Sequence, residues 1–198
     1  MRRGAVHRAT GETNLQVAVE IDGVQAGLRG TLGIPFFEHM LNLLAKHAGW
    51  GIEIGGQGDL DVDFHHTVED TGLALGQALR QALGDKNGIE RYGEAHVPME
   101  ETLARCVLDL CNRPYFRLDG TPVPKTKVGA FDAELGEEFL RALAMSGGIT
   151  MHLSILTPAG NVHHMLEALF KATGLALGRA AAPGARVRGV LSTKGTIS

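Results

Sequence analysis

The chain has 198 residues, 44% of them hydrophobic, and a net charge of −3 with histidine neutral. That is enough to bury a core as one domain or as two small fused halves, and the weak charge, with no run of Lys or Arg, excludes the usual nucleic-acid or anionic-membrane partner. Cys106 and Cys111 have no CxxC or zinc-finger spacing and read as reduced core thiols. The N-terminus lacks an apolar leader, and no stretch approaches the roughly 20 apolar residues that cross a bilayer, so a cytoplasmic chain is expected.

Taken in chain order, "LQVAVEID" (15–22) predicts a strand. "PFFEHMLNLLAKHAG" opens with Pro35 in a first-turn position and closes on Gly49, which predicts a helix. "WGIEI" reads as a strand, and so does "DLDVDF" (59–64), by strict alternation. A helix follows, with Val68, Gly72, Leu75 and Leu79 forming one packed stripe. The stretch around 85–100 is the join between halves, though not a flexible linker. Beyond it come strands at "ARCVLDL" and "YFRLD", a helix at "DAELGEEFLRALAMSGG", a strand at "ITMHLSIL" (149–156) and a last helix. The fold class is therefore α+β, with helices on one face of mostly antiparallel sheets. It divides into two similar halves, 1–90 and 91–198, packed helix against helix as one unit.

The halves carry a repeat. "HHTVEDTGLALGQAL" (65–79) aligns without a gap on "HHMLEALFKATGLAL" (163–177), matching at 7 of 15 positions. Asp63 and Asn161 precede the two motifs by the same interval, and both suit a helix N-cap.

On a helix, residues four apart share a face, so His65 with Glu69 and His163 with Glu167 each form a chelating pair. His66 and His164 are rotated by about 100° and must aim elsewhere. The repeat predicts reciprocal sets: His65, Glu69 and His164 for one metal, His163, Glu167 and His66 for the other. His39, on a helix, and His152, on the polar side of a strand, are available to complete them. Imidazole and carboxylate donors without thiolates point to Mn, Fe, Co, Ni or Zn. Open coordination positions point to catalysis. His47 matches no repeat and is expected near the site.

"GIPFFEHML", "DFHHTVEDTGLALGQAL", "GIERYG", "FDAELGEEF", "NVHHMLEALFKATGLAL" and "STKG" occur in this order across almost the whole chain. Together they closely resemble the imidazoleglycerol-phosphate dehydratase family. The resemblance implies two tandem halves like the second domain of ribosomal protein S5, with a four-helix bundle between two four-stranded sheets. It implies two manganese ions per active site, and self-association into trimers and a 24-subunit octahedral shell with metals at subunit contacts. By motif match one metal takes His39, His66, His163 and Glu167, and the other His65, Glu69, His152 and His164. The implied reaction removes water from imidazole glycerol phosphate. An imidazolate form of the substrate expels the neighbouring hydroxyl to give a diazafulvene-like intermediate, and the next carbon then loses a proton. Glu12, with Glu69 and Glu167, is the catalytic candidate. His47, Arg91, Arg113, Lys171, Ser192 and Lys194 match substrate contacts, the cations and hydroxyl suiting phosphate oxygens.

"CNRP" departs from a more usual Ser-Gly before Arg-Pro, which puts Asn112 where a glycine is common; Glu38 and "EETL" also depart from the pattern. No transit peptide or fused phosphatase domain is apparent, so a stand-alone enzyme is expected. Two other readings remain open at this stage: a dinuclear metallohydrolase of a phosphate ester, and a metal-clamped structural assembly.

Overall fold

A computed structural model of the chain describes every residue except 24, 159 and 198. The first half runs β1 (Arg3–Ala9), β2 (Thr13–Glu20), β3 (Gly27–Arg29), α1 (Pro35–Ala48), β4 (Gly51–Gly58) and α2 (His65–Leu83). The second repeats that order as β5 (Tyr92–Met99), β6 (Thr102–Asp109), β7 (Tyr115–Gly120), α3 (Glu134–Gly147), β10 (Thr150–Thr157) and α4 (Val162–Ala181), with a small hairpin, β8 (Lys127–Val128) and β9 (Phe131–Asp132), before α3.

The two four-stranded sheets have equivalent orders, β1-β2-β4-β3 and β5-β6-β10-β7. Their pairings are antiparallel except β3 with β4 and β7 with β10. Leu15, Val17 and Val19 of β2, and Ala104, Cys106 and Leu108 of β6, face inward and are buried. α2 covers β1 and β2, α4 covers β5 and β6, and the helices meet as α2 on α3 and α1 on α4. The four helices therefore form the middle layer between two sheets, as expected. Phe37, Phe139 and Phe170 sit at its centre, with ring centroids 5.2 and 5.5 Å apart. No described helix is long and apolar enough to cross a membrane.

Glycine sets the helix spacing. A Cβ built at Gly76 would lie 2.6 Å from the Leu143 carbonyl oxygen, and one at Gly174 2.5 Å from that of Leu44. Both cross-half contacts are thus backbone against backbone, and a methyl at either position would push the helices apart.

Two expectations are corrected. Residues 59–64 are not a strand: Val62 is 70% exposed, and its N–H closes a turn on the Asp59 carbonyl at 2.8 Å. The alternation there comes from aspartates with separate tasks, and no sheet face waits for Val62. The strand before α2 is instead the glycine-rich 51–58. The join is also shorter than expected, because β5 occupies the second half of it. Gly93 and Ala95 face inward there, too small to signal an apolar face. The same masking hid β1, where the buried inward residue is Gly4.

Candidate metal centre

α1 starts at Pro35, and Glu38 secures its entry: the Glu38 carboxylate accepts from the N–H groups of Leu32 (2.7 Å) and Gly33 (2.9 Å) and from the Thr31 hydroxyl (2.7 Å). One turn in, His39 faces α4. On α4, the Asn161 side chain accepts from His163 N–H at 3.0 Å. That cap fixes the first turn, so His163, Glu167 and Lys171 fall on one face.

The result is a tight cluster. Ring N–H groups of His39 and His163 point at the same Glu167 oxygen, at 2.8 and 3.3 Å, and the Lys171 ammonium donates to the other oxygen at 2.7 Å. Phe36 packs edge-on against the His163 ring, with centroids 5.1 Å apart. Burial pushes the Glu167 carboxyl up. Hydrogen bonds from Lys171 and His39, the Lys171 charge and the bond from His163 more than offset it and hold the carboxyl at about 2. The ligand atoms of His39, His163 and Glu167 all lie within 4.8 Å of one another.

A second cluster forms where α2 faces α3. His65 Nε2 lies 3.8 Å from Glu69, and Glu138 of α3 completes a trio of ligand atoms within 4.8 Å of one another. The Arg141 guanidinium touches Glu138 and lies 3.8 Å from Glu69. The sequence reading missed Glu138. Only the pseudo-symmetry of the fold reveals it: Glu138 occupies in α3 the position of His39 in α1.

The second histidine of each motif is turned away from its trio. The His66 Nδ1–H donates to Asp59 at 2.8 Å, and its Nε2 lies 3.5 Å from Glu12. The hydrogen bond to Asp59 raises the His66 pKa, against a smaller opposing effect of desolvation. The His164 Nδ1–H likewise donates to Glu101 at 3.0 Å, and with Glu100 these make a third, more exposed group of ligand atoms within 4.8 Å of one another. Carboxylates on Nδ1 leave Nε2 as the free donor, the arrangement that orients histidine ligands in metal sites. Neither Asp59 nor Glu101 was foreseen. Glu12 and Glu101 are counterparts, each standing immediately before the second strand of its half's first hairpin.

The reciprocal sets expected within one chain do not form. Among the described residues, His66 stands apart from His163 and Glu167, and His164 apart from His65 and Glu69. His152 is exposed on β10, its ring 5.4 Å from that of Tyr115. His47 donates to the Leu43 carbonyl at 2.8 Å and joins neither trio.

Arg91, Arg113, Ser192 and Lys194 line one cavity of about 740 Å³, together with Arg186 and Arg188. Lys171 is not among its lining residues. Arg91 is buried, and its guanidinium is held by both Asp109 oxygens at 2.7 and 2.9 Å. The more accessible cations there are Arg113, Arg186, Arg188 and Lys194.

A family model described as imidazoleglycerol-phosphate dehydratase matches residues 32–177. A protein of that name from Desulforudis audaxviator is 51% identical over 198 residues, covering 100% of this chain and 99% of its own length. One from Symbiobacterium thermophilum is 52% identical over 196 residues, covering 99% and 93%. The crystal structure of the Staphylococcus aureus dehydratase superposes with a TM-score of 0.79 at 38% identity, covering 90% of this chain and 97% of that one. The Pyrococcus furiosus structure gives 0.80 at 34% identity, covering 96% and 99%.

Proposed function

Because the chain belongs to the imidazoleglycerol-phosphate dehydratase family, we propose that its two histidine–carboxylate clusters hold divalent metal ions, manganese first among them, for the dehydration of imidazole glycerol phosphate to imidazole acetol phosphate. Family membership makes the chain a hydro-lyase of histidine biosynthesis. The observation that carries the metal reading is the convergence of His39, His163 and Glu167 within 4.8 Å. Two imidazole Nε2 atoms aim at one depressed carboxylate, so protons and a divalent cation compete for the same point. The donors are nitrogen and oxygen only, which suits a first-row divalent ion. A bound ion there supplies a Lewis acid for an imidazole nitrogen of the substrate.

The chain's own side chains do the rest. Asp59 and Glu101 orient the His66 and His164 rings. Glu12, 3.5 Å from His66, binds the departing hydroxyl or moves a proton in this reading. Phe36, Phe64 and Phe131 wall a cavity of about 450 Å³ beside His39 and give it an apolar side. Arg113, Ser192 and Lys194 grip the phosphate, with Arg91 held behind them by Asp109.

The reading extends to assembly. Each ligand set is completed between copies of the chain, in trimers that build a 24-subunit shell: His39, His66, His163 and Glu167 for one ion, His65, Glu69, His152 and His164 for the other. The separation of His66, His152 and His164 from the trios supports this, because one chain alone leaves both sets incomplete. The cytoplasm is the proposed compartment, supported by the free, buried Cys106 and Cys111.

The test is dehydration of imidazole glycerol phosphate by metal-stripped protein before and after manganese is restored. Stripped protein is expected to be inactive and restored protein to form imidazole acetol phosphate. Release of inorganic phosphate instead would favour a metallohydrolase, and metal uptake without turnover a structural shell; either defeats the reading.

A further inference from the structure

The basic cavity is shaped by a C-terminal segment held from behind. Ser192 and Lys194 sit on a turn in which Gly195 N–H donates to the Ser192 carbonyl at 3.1 Å and Lys194 N–H to the Ser192 hydroxyl at 3.2 Å. Three bonds tie the flanks of that turn to the rest of the chain, two to the region between the halves and one to the loop between β6 and β7. Gly88 N–H donates to the Gly189 carbonyl at 2.9 Å, Arg91 donates to the Leu191 carbonyl, and the Asn112 amide donates to the Ile197 carbonyl at 3.0 Å. The loop carrying Ser192 and Lys194 is thus pinned at both ends, by Arg91 on one side and Asn112 on the other.

Each pin is itself held. Arg91 is fixed by Asp109. Asn112 has φ 59°, in the left-handed region that asparagine tolerates, and its Oδ1 accepts from the Lys86 ammonium at 2.6 Å. Lys86 is only 2% exposed. Burial pushes its pKa down to about 8, although Cys111 and Asp109 pull the other way. Burying an ammonium is costly, and an apolar side chain of similar volume often serves stability as well or better. What an apolar residue cannot do is orient the Asn112 amide. An ammonium only donates, so Oδ1 must face it, and the amide N–H2 is turned toward the tail carbonyl.

We propose that Lys86 is a positioning residue: acting through Asn112, it sets the far end of the 191–197 loop and so places Ser192 and Lys194 for the phosphate group of the substrate. This rests on the reading of the cavity as the phosphate subsite. Asn112→Gly tests it cleanly, because glycine keeps the left-handed backbone without strain. In the metal-loaded enzyme, Asn112→Gly raises KM for imidazole glycerol phosphate about tenfold, the worth of one hydrogen bond, with kcat within about twofold. Inorganic phosphate inhibition weakens by the same factor, and amide exchange of residues 192–197 speeds up. Lys86→Met does the same, and the double variant is no worse than either single one, because both break one chain of contacts. Unchanged KM and unchanged exchange in Asn112→Gly, or additive effects in the double variant, would overturn the proposal. Arg113→Ala and Lys194→Ala test the underlying reading separately. If they leave KM and phosphate inhibition unchanged, the cavity is not the phosphate subsite. If they raise KM while Asn112→Gly does not, the subsite stands and the positioning role falls.

Discussion

The α1–α4 and α2–α3 contacts are two copies of one scaffold carrying different chemistry. His39 and Glu138 hold the same place, the fifth residue of a 14-residue helix closed by a left-handed glycine, Gly49 or Gly148. Each faces the first histidine and the glutamate of a cassette from the other half. The first cluster has two imidazoles and one buried carboxylate, with Lys171 supplied from the same helix. The second has one imidazole and two carboxylates, with Arg141 supplied from the facing helix. Helix register and close backbone contacts survived the duplication, whereas charge compensation was rebuilt on each side. Within one chain the first trio offers more nitrogen and the second more oxygen, whereas each complete set proposed above has three imidazoles and one carboxylate.

The strongest way to break this comparison is to remove one carboxylate from each side. Under the proposed scheme, Glu167→Gln and Glu69→Gln are each expected to lower metal affinity by about a hundredfold or more, with a comparable loss of dehydration and dissociation of the proposed assembly. Metal content and sedimentation of purified protein check both variants. Unchanged metal content and particle size in either would contradict the ligand scheme.

A second test uses acid. The Glu167 carboxyl lies at about 2 against an ordinary 4.5, so in metal-free protein its contribution is complete above pH 4.5 and is lost as pH falls toward 2. A shift of this size is worth on the order of 3 kcal/mol. Urea unfolding of metal-free protein between about pH 5 and pH 3 should show that loss, and Glu167→Gln should flatten the dependence. A slope untouched by the substitution would place the acid-sensitive group elsewhere.

A third test sharpens the contrast between the clusters. Glu138 lies outside the proposed set of His65, Glu69, His152 and His164 but within reach of the same point, and as an added contact to that ion its replacement Glu138→His is expected to shift the preference from manganese toward zinc by about tenfold in competition titrations. Glu138→Gln should weaken the second cluster and leave the first unchanged. Equal effects on both clusters would mean that Glu138 acts through the fold as a whole.

The sequence shows one side of this comparison better than the other. The motif repeat fixes the two cassettes, because histidine and glutamate at helical spacing project to one face. The Glu138 counterpart of His39 was not legible, because the residue type changes and the α1–α3 offset differs by one from that of the cassettes. Glu12 and Glu101 share yet another offset, so the pair surfaces only once the hairpins are superposed. β1 and β5 escaped notice because Gly4 and Gly93 occupy inward positions where a helix backbone comes too close for a side chain. Lys86 reads as a surface lysine in any sequence window. Its burial beside Asn112, Cys111 and Asp109 emerges only in the folded chain.

The smallest expected effect separates the two helix starts. The His65 N–H donates to Asp63 at 2.7 Å and the His163 N–H to Asn161 at 3.0 Å, the same bond two residues back in both halves. Asn161 is the N-cap of α4 as expected, whereas the N-cap of α2 is Phe64 and Asp63 stands one residue before it; replacing Asp63 or Asn161 by alanine should cost about 1 kcal/mol in metal-free protein. Asp63 adds a negative charge at the positive end of α2, worth a few tenths of a kcal/mol or more at low ionic strength. Asp63→Ala is therefore expected to destabilise slightly more than Asn161→Ala, with the gap closing at about 1 M salt, where charges are screened within about 3 Å. Asp63→Asn should lose only the salt-dependent part. If Asn161→Ala were the costlier change at every salt concentration, the two bonds would not be equivalent, and the symmetry would reach the histidine and glutamate side chains without reaching the backbone that presents them.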